Sequence, residues 1–160
     1  RTEQIISSNM MSQIITGAGW TFILSLALLV LGSFDADPNV PGVSFLESWG
    51  FLRQNTIEGE THMFLHTAYF AFFIFIAVFN AFNARTDRAN LFDNLGKNKG
   101  FLTVFGIIAV VQILMTYLGG AILSGYGLNA AEWLMVLVMA ISIIPVDLIR
   151  KGIAKAVSNK

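Results

Sequence analysis

The stretch of sequence that decides the fold runs from His62 to Ala84 and reads HMFLHTAYFAFFIFIAVFNAFNA. It contains no Asp, Glu, Lys or Arg. A helix needs about 20 predominantly apolar residues to cross the hydrocarbon core of a bilayer, so this stretch predicts a transmembrane helix. A helix of a soluble bundle would instead carry charged residues at helical spacing on its outer face.

Three further segments have a similar length; two of them carry no charged residue, and the last carries only Glu132 and Asp147. With residues 62–84, the segments at residues 16–34, 101–123 and 130–149 make four predicted spans. In the whole chain of 160 residues, 55% are hydrophobic and 12% are charged, which is about half the charged share of a soluble domain. We therefore predict a single-domain, all-α membrane protein with four transmembrane helices in an antiparallel bundle.

The distribution of basic residues predicts the orientation of these spans. Of the 10 Lys and Arg residues, only Arg53 lies in the loop between the first two spans, and the loop between the last two spans has none. The others are Arg1, Arg85, Arg88, Lys97, Lys99, Arg150, Lys151, Lys155 and Lys160. Because basic residues in short loops stay in the cytoplasm, we expect both termini to be cytoplasmic.

Four polar side chains inside the predicted spans are candidates for a structural role or an ion path: His66, Asn80, Asn83 and Gln112. Asn80 and Asn83 are three residues apart, so their amides share one helix face. Polar groups inside a membrane are costly unless they are paired. We therefore favour hydrogen bonds to a neighbouring helix or a backbone carbonyl over ion ligation for Asn80 and Asn83, and we interpret Gln112 in the same way.

The ionisable residues of the spans have comparably simple interpretations. His62 and His66 are four residues apart and could hold a metal, but we favour one histidine at the outer interface and one hydrogen-bonded inside the bundle. We expect Asp147, three residues before Arg150, to form an interfacial ion pair or a helix cap rather than to carry protons.

In the loop between the first two spans, we expect a short interfacial helix at residues 44–52, with Trp49 at headgroup depth.

The sequence also argues against several functional classes. Cysteine is absent, so there is no disulfide framework and no zinc–thiolate site. The short charged pieces flank the spans, and no basic surface for nucleic acid is expected. We find no phosphate-binding loop and no catalytic motif, and we expect no catalytic, cofactor-binding or metal-binding residue in this chain.

Five segments, in order, resemble the last four helices of P-type calcium-transporting ATPases of the plasma-membrane-like kind. They are Ile6–Met11, Phe79–Arg85, Asn90–Asn94, Glu132–Leu137 and Pro145–Asp147. The resemblance implies a membrane support domain that braces the ion-binding helices of a larger pump. The parent pump is expected to use ATP, magnesium and calcium and to lie in the plasma membrane. The expected partners are membrane lipid and the remaining helices and cytoplasmic domains of that pump.

The chain departs from this family pattern at a few positions. Ala77 replaces the carboxylate that the two-calcium, sarcoplasmic-reticulum type carries three positions before the paired asparagines, which implies a single transported ion. Ser8 and Ser12 replace basic residues that are common before the first of these helices. The chain opens with Arg1 and has a short tail, so we expect a piece of a longer protein without a long calmodulin-binding extension. The alternative is a free-standing four-helix membrane protein, such as a small channel or an assembly factor.

Overall fold

The computed structural model describes residues 8–33, 39, 44–53, 63–85, 98–119 and 127–158. Its regular elements are α-helices: α1 (Ser8–Ser33), α2 (Phe45–Ser48), α3 (Met63–Ala84), α4 (Lys99–Leu118), α5 (Ala130–Ile141) and α6 (Ile143–Ser158). The helices α5 and α6 follow each other so closely that together they make one span, Ala130–Val157. Among the described residues, four helices are then long and apolar enough to cross a membrane, which confirms the all-α prediction with four spans.

The helices do not keep to the predicted limits of the spans. The first begins at Ser8 and the last continues to Ser158, because a helix satisfies its own backbone on both sides of the hydrocarbon boundary. α4 begins at Lys99, since the side chain of Asn98 accepts a hydrogen bond from the backbone N–H of Phe101 at 3.2 Å and caps the helix. The predicted limits at Phe34, His62 and Leu123 lie outside the described residues.

α3 lies at the centre of the bundle, in contact with α1, α4, α5 and α6. Ala68, Ala71, Phe72 and Ile76, which recur on one side of the helix, are its most buried apolar residues. The small side chains at positions 68 and 71 let the neighbouring helices approach closely, while large rings fill the remaining space. Ring contacts between described residues join α3 to its neighbours: Phe75 with Trp133, Phe79 with Phe105, and Phe82 with Phe101.

α1 runs antiparallel to α3 and touches it closely at two glycines. A Cβ atom on Gly17 would lie 2.9 Å from Asn80 Oδ1, and one on Gly32 would lie 2.4 Å from Leu65 Cδ1. The second contact lies 15 residues later than the first along α1 and 15 residues earlier along α3, as expected for antiparallel helices. Small residues at such crossings are what allow close helix packing in a membrane.

The last span is interrupted at Ser142, three residues before Pro145. A proline inside a helix has no N–H to donate and its ring clashes with the carbonyl four residues earlier, here that of Ile141. Ser142 then becomes a contact point, because its hydroxyl donates to the backbone oxygen of Met139 at 2.6 Å. The same hydroxyl accepts a hydrogen bond from Trp20 Nε1 of α1 at 2.9 Å, so the break is tied to the first span.

Candidate functional site

An open groove of about 490 Å³ lies between α1 and α3. On the α1 side it is lined by small or hydroxylated residues, with two larger apolar ones, and on the α3 side by two aromatic residues, one isoleucine, one alanine and one asparagine. Its lining is Ile14, Gly17, Ala18, Thr21, Phe22 and Ser25 from α1, with Tyr69, Phe73, Ile76, Ala77 and Asn80 from α3. Walls of this kind leave room for the backbone of another helix to approach.

Asn80 sits in this groove. Its side chain is half-buried and lies against the backbone of α1 at Gly17, where a Cβ atom would come within 3.0 Å of Asn80 Nδ2. Within the described part of the chain the Asn80 amide makes no side-chain hydrogen bond. The structure therefore places Asn80 where its amide can reach a group that enters the groove.

Asn83 lies one turn further on and has a different environment. Its side chain is fully buried, and its Nδ2 donates to the backbone oxygen of Ile143 at 3.0 Å. That carbonyl belongs to α6, immediately after the break at Ser142. Asn83 Oδ1 is also buried, and it has no hydrogen-bond partner among the described residues. The two asparagines therefore share a helix face only loosely: Asn83 contacts the last span and Asn80 faces the groove.

A buried ionic network lies beside Asn83, at what we call the Asn83 end of the bundle. Asp147 Oδ1 is 2.7 Å from Arg150 Nε, and Asp147 Oδ2 is 2.8 Å from Lys151 Nζ. Lys151 Nζ also donates to the backbone oxygen of Asn83 at 3.0 Å. The expected ion pair of Asp147 with Arg150 is confirmed. Its burial and the part played by Lys151 were missed, because the spacing of 147, 150 and 151 does not show which face of the helix turns inward.

His66 and Gln112 occupy positions away from the groove. His66 is exposed on α3, so it is not the histidine that we expected to be hydrogen-bonded inside the bundle; His62 lies outside the described residues. Gln112 is buried, but its partner lies on its own helix, since Nε2 donates to Thr116 Oγ1 at 3.4 Å. Thr116 Oγ1 in turn donates to the backbone oxygen of Gln112 at 2.9 Å.

A second ionic contact, between Arg53 and Glu132, lies at the opposite end of the bundle. Arg53 Nε is 3.1 Å from Glu132 Oε1, and the backbone N–H of Arg53 donates to the same oxygen at 2.9 Å. The Arg53 guanidinium also donates to the backbone oxygen of Gly127 and lies 4.2 Å from the centre of the Phe64 ring. We call this end of the bundle the Arg53 end. The sequence feature that could have indicated this contact is that Arg53 is the one basic residue in the loop between the first two spans.

The described residues hold no cluster of three or more His, Cys, Asp or Glu side chains that could bind a metal ion. What the groove offers is chiefly small and aromatic surface with a few hydroxyl and amide groups. Such a surface can pack against a transmembrane helix and hydrogen-bond to it. By contrast, Lys151 of the Asp147 network joins α6 to α3 through the backbone oxygen of Asn83, and the second ionic contact joins Arg53 to the start of α5.

Comparison with known proteins identifies relatives among cation-transporting ATPases. The family described as "Cation transporting ATPase, C-terminus" matches residues 1–153. The chain is 32% identical over 126 residues, 76% of its length, to "Calcium-transporting ATPase 8, plasma membrane-type" of Arabidopsis thaliana. It is 33% identical over 90 residues, 55% of its length, to "Calcium-transporting ATPase PAT1" of Dictyostelium discoideum.

A third relative is "Calcium-transporting ATPase 2" of Schizosaccharomyces pombe, 28% identical over 83 residues, 51% of this chain. The matched regions cover 6%, 11% and 8% of the yeast, plant and Dictyostelium proteins respectively, so the chain spans a small part of its relatives' length. No solved structure is significantly similar to it. The family match over nearly the whole chain, together with four apolar helices in the expected order, shows that this protein belongs to the family of C-terminal membrane domains of cation-transporting ATPases.

Proposed function

We propose that the chain is the membrane support domain of an ATP-driven calcium pump, and that it braces the ion-binding helices of that pump through the groove between α1 and α3. The relatives named above are calcium-transporting ATPases, which supports calcium as the transported ion. The proposal gives the chain itself no catalytic step: ATP, magnesium and calcium would be bound elsewhere in the parent protein.

The observation that carries the proposal is the open groove between α1 and α3. Ala77, Ala81 and Ala84 form a strip of small, exposed side chains on one side of α3, and Ala77 continues into the groove. A lipid chain needs no small residues for contact, whereas a neighbouring helix gains close van der Waals packing from them. The groove therefore fits a transmembrane helix of the parent pump better than it fits lipid.

Two further features are part of the proposal. We infer that both termini are cytoplasmic, which would put the Asn83 end on the inside, since the basic residues flank that end. We also infer a plasma-membrane location and a single transported calcium ion. The location is supported by a plasma-membrane-type relative. The single ion is supported by Ala77, which offers no oxygen to a cation that prefers oxygen ligands.

The test is to fill the groove in the full-length parent pump. Ala77→Leu adds bulk to the groove wall, while Ala131→Leu adds the same atoms at an exposed position in the first turn of α5. Overpacking a helix contact costs about 1–3 kcal/mol, so Ala77→Leu should reduce the yield of assembled pump and its calcium-dependent ATP hydrolysis. In the isolated chain, where Ala77 is exposed, the same substitution should leave thermal stability unchanged.

The control variant should match the wild-type pump in both measurements. If Ala77→Leu gave wild-type yield and hydrolysis, nothing would pack in the groove and the bracing role would be wrong. A pump that assembled normally but needed far more calcium would instead assign the groove to the ion path.

A further inference from the structure

The segment from Ser44 to Arg53 is ordered by its own hydrogen bonds and packs against the Arg53 end of the bundle. The Ser44 hydroxyl accepts from the backbone N–H of Glu47 at 3.3 Å, and the Glu47 carboxylate accepts from the backbone N–H of Ser44 at 2.7 Å. This reciprocal pair is a capping box that starts the short helix α2. Leu46 and Leu52 are buried in the common hydrophobic core, so the segment is packed against the bundle on one side.

The end of the segment is held by the Arg53 contacts described above. Glu132 has a fully buried side chain, and it receives both the backbone N–H and the guanidinium of Arg53. Phe64, at the start of α3, lies under the guanidinium. The segment is thereby fixed to the starts of α3 and α5, while α2 contacts α1.

Two large aromatic side chains of this fixed segment nevertheless point outward. Trp49 is 67% exposed and Phe51 is 42% exposed. Between them Gly50 has φ +75°, a conformation that glycine adopts at little cost. The 44–53 segment is fixed to the bundle, yet its two aromatic rings stay outside the hydrophobic core. We therefore expect an apolar surface outside the described bundle to cover these rings.

We propose that Trp49 and Phe51 anchor this segment in the headgroup region of the bilayer leaflet at the Arg53 end. The rings sit beside the starts of the transmembrane helices, and the end of α1 carries the exposed side chains Leu29 and Val30, so the apolar outer surface of the spans continues toward them. Tryptophan is enriched at this depth because one edge of its ring is apolar and its N–H is polar. The proposal does not depend on the pump function or on the orientation of the chain.

The charged residues of the segment indicate which lipid headgroups it would contact. The guanidinium of Arg53 is already engaged by Glu132 and Gly127, and Glu47 adds a negative charge to the segment. An anchor of this composition has no need of anionic headgroups. The depth of Trp49 should therefore be the same in phosphatidylcholine vesicles and in vesicles that also contain phosphatidylserine.

The experiment uses tryptophan fluorescence of the chain reconstituted in phosphatidylcholine vesicles. In the double variant Trp20→Phe/Trp133→Phe, Trp49 is the remaining tryptophan, since the chain has three. Phospholipids brominated near the headgroup should quench it about twofold more than phospholipids brominated near the chain end, as expected for interfacial tryptophan. Because this double variant loses two hydrogen bonds, the difference between wild-type chain and Trp49→Phe is measured as well and should give the same order.

Every other result overturns the proposal. Quenching by aqueous iodide without quenching by brominated lipid would put Trp49 in water. Resistance to both quenchers would mean that protein, such as a second copy of the chain, covers the ring. Stronger quenching by deep bromine would put Trp49 in the hydrocarbon core, and a shift in depth with phosphatidylserine would refute the neutral-headgroup form of the anchor.

Discussion

At the scale of single residues, Gly32 shows most directly how little space separates α1 from α3. A Cβ atom there would lie 2.4 Å and 2.7 Å from the two terminal carbons of Leu65. Leu65 is itself buried, so its side chain has little room to turn away. By contrast, Gly106 on α4 has nothing within 4 Å of its Cβ position.

These two glycines make a matched pair of substitutions. Gly32→Ala should lower the thermal stability of the chain, because overpacking by about 1–3 kcal/mol outweighs the gain in helix propensity. Gly106→Ala should raise it by about 0.5–1 kcal/mol, since alanine loses less backbone entropy in a helix. Thermal unfolding of both variants in the same detergent measures the difference. Equal effects of the two substitutions would show that α1 and α3 are not in close contact at Gly32.

The residues also show where sequence reasoning stopped. Asn83 stood out as a polar group inside an apolar span, and the structure places its amide against a backbone carbonyl of the last span. Its partner, Ile143, could not be named in advance, because the choice depends on how the helices align after Ser142. His66 is also a polar residue inside an apolar span, but the structure shows it exposed. The sequence could not distinguish the two cases, because one polar residue in an aromatic run does not reveal which face of the helix turns inward.

At the scale of elements, the contact between Arg53 and Glu132 joins the segment that follows α1 to the start of the last span. The two side chains differ in exposure, 44% for Arg53 and 0% for Glu132. Loss of either partner should therefore have unequal consequences. An arginine without its carboxylate can turn toward water, whereas a carboxylate without its arginine stays buried with a charge.

We expect Arg53→Met to destabilise the chain more than Glu132→Gln. Removing one partner of a buried pair costs about 3–5 kcal/mol, and the partial exposure of Arg53 should bring the loss below that range. Glu132→Gln keeps an oxygen that can accept from the backbone N–H of Asn129 and should cost about 1–2 kcal/mol. Chemical unfolding of the two variants compares them, and a larger loss for Glu132→Gln would contradict this account of the pair.

Helices were easier to predict than their ends and joints. Length and the absence of charge define a span, because the bilayer imposes both. The start of α4 depends on a single capping side chain, Asn98, and the break in the last span on Pro145, neither of which changes the average hydropathy. The attachment of the 44–53 segment depends on Glu132, which lies 79 positions from Arg53, and no local pattern links the two.

At the scale of the whole molecule, the proposed orientation rests on the distribution of charge and can be tested by thiol labelling. The chain has no cysteine, so single cysteines can be introduced at the exposed positions Ser48 and Lys99, one at each end of the bundle. In intact cells, an impermeant thiol reagent should label Ser48→Cys and leave Lys99→Cys unlabelled until the membrane is opened. The reverse pattern would invert the topology.

The central claim is that this domain supports the ion site without forming it, and the double substitution Asn80→Leu/Asn83→Leu in the full-length pump tests that claim most directly. Loss of amide hydrogen bonds worth roughly 0.6–2 kcal/mol each should lower the thermal stability of the pump. The calcium concentration for half-maximal transport should stay within a few-fold of wild type. Unchanged stability with a loss of calcium affinity by orders of magnitude would place both asparagines in the ion site and contradict the support role.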